Sequence, residues 1–186
     1  MKKSWIFALT VFILGIMTVG TVAQEIKWQP APKTIDVGAA LELTGATALS
    51  GYLTKCSHEV AVDKINEEGG INGIPIRLLY EDCKGTNPGT IAAVNKAIYD
   101  QKVYAQFITV RSTINHAVHP LILQTKIPAL YGGTAWSVRE LQSPWMFGLR
   151  TNDRNCAGIM AKFMVESLGH KKVAGLYSDE AFGQGG

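Results

Sequence analysis

From residue 35 onward, short apolar runs alternate with amphipathic stretches of helical period. The run Ile35-Asp36-Val37-Gly38-Ala39-Ala40-Leu41 reads as a buried strand. From about Tyr52 to Glu67, Leu53, Cys56, Val60, Ala61 and Ile65 share one broad helical face. Gly69-Gly70 closes that helix and Asn72-Gly73 makes a turn. Residues 75–81 predict a second strand. Asn87-Pro88 then supplies an N-cap and a proline at the first helical position for a helix bearing Ile91, Val94 and Ile98. Val103 to Val110 predicts a third strand, followed by a helix with Val118, Leu121, Ile122 and Thr125. Pro120 inside it implies a kink or a later start. Residues 127–131 and 146–149 predict two more strands. Asp153 or Asn155 caps a last long helix carrying Ala157, Met160, Ala161, Met164 and Leu168, and 172–177 predicts a further strand. Strands alternating with helices imply an α/β fold, with a parallel, doubly wound sheet covered on both faces.

The first 23 residues break this rhythm. Lys2 and Lys3 precede an apolar run from Trp5 to Val19, and small residues end at Thr21-Val22-Ala23. That is the pattern of a secretory signal peptide, cleaved near Ala23, with a run shorter than a spanning helix needs. Gln24 to Thr34, with Pro30 and Pro32, reads as a lead-in tail. The net charge of +3 includes the two leader lysines, so no basic stripe remains to argue for nucleic acid. With 47% hydrophobic and 18% charged residues, the composition excludes a disordered tail. Export places Cys56, Cys83 and Cys156 in an oxidising compartment, where pairing is allowed but an odd number leaves one over.

In an open parallel sheet, ligands sit beyond the carboxyl ends of the strands. The loops leaving those ends carry Thr44, Thr47 and Ser50, then Arg111, Ser112 and Thr113, then Gly132-Gly133-Thr134-Ala135-Trp136. Hydroxyls beside glycines and helix-opening amides are the parts of a carboxylate cradle. Ser112 or Thr113 equally reads as a plain N-cap of the next helix. His116 and His119 stand three apart without a third metal ligand nearby, and Glu81-Asp82 reads more readily as a strand-end turn than as an acid–base pair. No GxSxG elbow, Walker loop or GxGxxG follows the first strand, so nothing here asks for catalysis, a metal or a cofactor.

The stretches LELTGATALSG, VDKINEEGGINGIPIRLLYEDCKGTNPGTIAAVNKAI, KIPALYGGTA and YSDEAFGQG resemble the branched-chain amino-acid-binding proteins, the periplasmic solute-binding components of ABC importers. The resemblance implies the type I periplasmic binding protein fold, two similar lobes closing on a small ligand. It also implies that residues 35–150 form the first lobe and 151–186 only the opening of the second. Further implications are a monomeric, periplasmic protein that is not an enzyme, with a membrane permease as partner. The family's carboxylate-holding motif falls on Ser112, Thr113, Gly133 and Thr134. Phe182 takes the place of a cleft-lining aromatic, and Ser50 that of a pocket-wall residue bulkier in some leucine binders. Arg111 departs from the small or hydroxyl residue usual there, and a guanidinium suits an extra carboxylate or an acid lacking an amine.

In such a fold Cys56 and Cys83 would both lie near the carboxyl edge of the sheet, so a bridge between them is expected, with Cys156 free. Other readings of the chain are a sensor or receptor module of the same fold and, more remotely, an exported α/β hydrolase. The second needs a nucleophile and a placed base, neither of which is in view.

Overall fold

The structure is a computed structural model that describes residues 31–185; the expected signal peptide, 1–23, and most of the expected lead-in tail lie outside the described residues. Five parallel strands form one sheet in the order β2-β1-β3-β4-β5. They are β1 (Ile35–Leu41), β2 (Ile76–Asp82), β3 (Ala105–Ile108), β4 (Ala129–Tyr131) and β5 (Met146–Gly148). The helices between them are α1 (Ala48–Glu67), α2 (Asn87–Asn95), α3 (Ser112–Thr125), α4 (Trp136–Glu140) and α5 (Asp153–Lys162); α2 and α5 each run on into one π turn. Val37 pairs with both Leu78 and Ala105, which makes β1 a central strand. The chain leaves β1 toward β2 on one side and returns to β3 on the other, so the topological switch lies between β1 and β3.

Burial on both faces explains the apolar composition of β1, whose Ala39, Ala40 and Leu41 are no more than 1% exposed. One face packs on α2 and α3 through Ala40, Cys83, Val94, Ile108, Val118, Ile122 and Tyr131. The other face meets α1. The His58 ring stacks on Phe107 with centroids 4.2 Å apart, and Tyr80 Oη donates to the Lys55 carbonyl at 3.4 Å. The pleat of β3 thus sends Phe107 one way and Ile108 the other.

Several expectations hold in detail. Gly69 and Gly70 close α1 with φ of 102° and 72°. Asn72 and Gly73, both at positive φ, turn the chain tightly between the bridged Ile71 and Ile74. Others are corrected. α1 begins at Ala48, ahead of Tyr52, because Gly51 has no Cβ to strike the Glu42 backbone beneath the first turn. Its expected apolar face is not its packing face, for Leu53 and Val60 are 57% and 70% exposed. Lys55 and His58 turn inward instead, because Tyr80 and Phe107 offer aromatic faces that suit an ammonium stem and an imidazole. Thr86, not Asn87, caps α2, its hydroxyl accepting the Gly89 amide at 3.1 Å. Asn152, rather than Asp153 or Asn155, caps α5. Pro120 does not delay α3; it sits on the exposed side, where solvent can satisfy the carbonyl it leaves unpaired. β3 is shorter than expected, and α4 was not expected at all.

The run 172–177 forms no strand, and Leu176 is fully exposed. A parallel strand needs a neighbour to pair its backbone, and among the described residues none runs beside this segment. The Cys56–Cys83 bridge is also overturned, since all three cysteines are free thiols. Cys83 is buried on the α2 face of the sheet, while Cys56 belongs to α1 on the opposite face.

Candidate functional site

Four loops meet over the carboxyl edge at the switch point. Asp82, the last residue of β2, organises the first. Its Oδ1 accepts the amides of Leu43, Thr44 and Lys84 at 3.0, 3.2 and 2.9 Å, and its Oδ2 accepts the Thr44 hydroxyl. Burial pushes this carboxyl upward, but these donors outweigh it and hold it below its ordinary value. Its neighbour Glu81 pairs with Lys96 at 2.7 Å, so the two acids serve the scaffold separately. At the end of β1, Glu42 is 1% exposed and accepts the Thr109 hydroxyl from the end of β3. That bond ties the two strand ends flanking the switch.

α3 starts immediately afterward. Arg111 occupies its N-cap position in an extended conformation, and among the described residues no side chain caps the helix. The opening amides, of Ser112, Thr113 and Ile114, therefore form a positive, uncapped helix end. Ser112 is buried and its Oγ accepts the Ala135 amide at 3.1 Å, leaving its own proton free to donate. The Thr113 hydroxyl is buried with no partner among the described residues. Asn115 joins the same two loops, donating to the Thr109 carbonyl at 3.1 Å and accepting the Gly133 amide at 3.1 Å. Gly133 leaves no room for a Cβ, which would sit 3.0 Å from the Ser112 Cα and overlap the Asn115 carboxamide. Thr134 follows, 5% exposed, with its carbonyl taken by the Asp153 amide at 2.9 Å.

The loops carrying Ser112, Gly133 and Thr134 are thus brought together. Gly132 backs this group against Val110, its carbonyl accepting from Arg150 at 3.4 Å. Arg111 turns the other way, toward the β2 loop, where its Nη1 donates to the Gly85 carbonyl at 3.2 Å and its Nη2 meets Glu180 at 3.1 Å. Ser50 lies half-buried in the first turn of α1. Phe182 is 53% exposed in the C-terminal turn. Beside the cradle opens a cleft of ≈ 440 Å³, lined by Trp136, Glu140, Arg154 and Gln184 among others. The Arg154 guanidinium lies 5.1 Å over the Trp136 ring.

Sequence reasoning missed Glu42, Asn115 and Glu180. Glu42 carried a readable signal, an acid closing an otherwise apolar run. Asn115 carried another, since it lies one helical turn from Ser112 on the buried face.

A family model described as "Periplasmic binding protein" matches residues 34–186. The chain belongs to that family. A Leu/Ile/Val-binding protein homolog 3 of Brucella melitensis is 28% identical over 156 residues, covering 81% of this chain and 41% of the relative. Among solved structures, the substrate-binding protein LivJ of a branched-chain amino acid transporter from Streptococcus pneumoniae, in complex with isoleucine, superposes with a TM-score of 0.73. It is 26% identical and is matched over 81% of this chain and 44% of its own. An ABC-transporter solute-binding protein from Rhodopseudomonas palustris BisB5, in complex with 3,4-dihydroxybenzoic acid, gives a TM-score of 0.74 at 22% identity, over 82% of this chain and 41% of its own, a likeness of fold. The sheet is therefore that of a type I periplasmic binding protein. The chain spans about two fifths of the length of the curated relatives it matches.

Proposed function

We propose that the full-length protein is the extracytoplasmic solute-binding component of an ABC importer, capturing a branched-chain amino acid or related small carboxylate and handing it to a membrane permease. The observation that carries this reading is the uncapped start of α3, with the buried hydroxyls of Ser112, Thr113 and Thr134 around it. A ligand carboxylate would supply the missing cap. Its negative charge would meet the positive end of the helix, and its oxygens would accept from hydroxyls that keep a free proton. The relatives' Leu/Ile/Val-binding descriptions and the isoleucine of the pneumococcal protein support the same ligand class.

In this reading residues 35–150 are the first lobe and 151–186 open a second, which suits an α5 with no buried residue. Closure of two lobes would remove water from the carboxylate and strengthen each hydrogen bond. The segment 1–23 would deliver the protein to the periplasm, where it would act as a monomer without catalysis. Calorimetric titration of the full-length protein with L-leucine, L-isoleucine, L-valine and simple carboxylates tests the proposal. Saturable binding of at least one supports it, and absence of binding to all of them removes it.

A further inference from the structure

A second group of side chains converges on the β2-loop side of the start of α3, the side to which Arg111 turns. Around Gly85, the point a Cβ would occupy lies 2.8 Å from Thr47 Oγ1, 3.3 Å from Glu42 Cγ and 3.6 Å from Arg111 Nη1. Residues from the β1, β2 and β3 loops thus meet at one spot beside the switch point. Arg111 leads directly into Ser112, so one loop carries both the guanidinium and the first hydroxyl of the cradle. The guanidinium is held from two sides. Nη1 is fixed by the Gly85 carbonyl, and Nη2 faces the Glu180 carboxylate 3.1 Å away. Both side chains remain about one-third exposed, at 34% and 36%, so the pair is accessible to solvent and open to exchange. The partner is separated from Arg111 by 69 residues of chain, on the C-terminal turn rather than on the sheet.

From this geometry we infer that Arg111 sets the ligand class, selecting acids that carry a second carboxylate, and that Glu180 is an internal carboxylate occupying its guanidinium until such a ligand replaces it. The inference rests on the reading that the full-length protein binds a small carboxylate at the strand edge. The carbonyl of Gly85 holds the guanidinium in place whichever carboxylate it faces. A planar fork fixed at one nitrogen and offering another matches a carboxylate better than it matches a hydroxyl or an alkyl group. A ligand with one carboxylate in the hydroxyl cradle and an apolar tail gains nothing from Arg111. A diacid gains a charge-assisted contact but must displace Glu180 to make it.

The test compares the full-length protein with its Arg111→Ala and Glu180→Gln variants by calorimetry, using L-isoleucine as the monoacid probe and L-glutamate and glutarate as diacid probes. Arg111→Ala is expected to lower the ratio of diacid to isoleucine affinity roughly tenfold or more. Glu180→Gln, which keeps the shape and removes the competing charge, is expected to raise that ratio severalfold. Equal losses for all probes in both variants overturn the inference and make the pair a closing contact. A ratio that does not move in either variant overturns it as well, as does a wild-type protein that takes L-isoleucine and neither diacid. Wild-type protein that binds none of these probes overturns the inference, and the underlying reading falls only if L-leucine, L-valine and the simple carboxylates fail as well, so the two failures are told apart.

Discussion

Asn115 Oδ1 accepts the Gly133 amide at 3.1 Å, and the same oxygen lies where a Cβ on residue 133 would have to go. The bond and the close approach require each other. Gly133→Ala should therefore push the β4 loop away from α3 and leave the buried carboxamide and amide unpaired. The cost is expected to be about 1–3 kcal/mol of stability for groups so stranded. A lower urea midpoint with an unchanged m-value checks this, and an unaltered midpoint contradicts it.

Thr134 is 5% exposed and Ser112 1%, so a carboxylate reaching them is shielded from water. Hydrogen bonds to a charged group are worth about 1.5–3 kcal/mol. Thr134→Ala is expected to weaken the tightest-binding amino acid about tenfold or more in the full-length protein. Ser112→Ala should do the same and cost stability besides, because it also strands the Ala135 amide. Unchanged affinity in Thr134→Ala would place the ligand elsewhere.

His58, packed on Phe107, should give stability a pH dependence. Burial lowers its pKa from the ordinary 6.5, so the unfolded chain binds a proton before the folded one does. Its contribution is complete above pH 6.5 and is lost as pH falls toward the lowered value. Thermal melts from pH 7.5 to 5.5 should show a falling Tm that is flatter in His58→Phe. Equal slopes in the two proteins would rule this out.

The thiols should react in the order of their exposure. Cys156 is exposed, Cys56 half-buried, and Cys83 buried, with burial raising its pKa and so suppressing the thiolate. A thiol reagent is expected to modify Cys156 first and Cys83 only on unfolding. Rapid labelling of Cys83 in the folded protein, or a Cys56–Cys83 peptide under non-reducing conditions, would refute the packing described.

Much of the fold was legible because strands buried on both faces leave near-continuous apolar runs, as in residues 37–41. The glycine pairs that stop α1 and turn the chain after it were equally plain. What a linear pattern does not carry is which face of the sheet a side chain meets. Cys56 and Cys83 looked like neighbours because both lie near one edge, yet the sheet stands between them. α1 was misjudged for a related reason, since aromatic rings on β2 and β3 draw Lys55 and His58 inward and leave Leu53 outside. The run 172–177 has the composition of a strand but no neighbour to pair with among the described residues. At the candidate site, Ser112, Gly133 and Thr134 stood out as hydroxyls and glycines in loops that leave the carboxyl ends of the strands. Glu180 could not have been found beside Arg111, because nothing local in sequence links residues so far apart.

None of Arg111, Ser112, Thr113, Gly133 or Thr134 lies within a strand, so none takes part in the pairing that holds the sheet together. Selection can therefore act on the two tasks separately. If the proposed function holds, residues 111, 113 and 134 are open to exchange as the ligand changes, with the strand pairing left intact beneath them. Gly133 and Asn115 are not, for they lock the loop carrying one half of the cradle to the helix carrying the other. On the proposed function, lineages of this protein should drift in the ligand they bind far more readily than in how the two loops are joined.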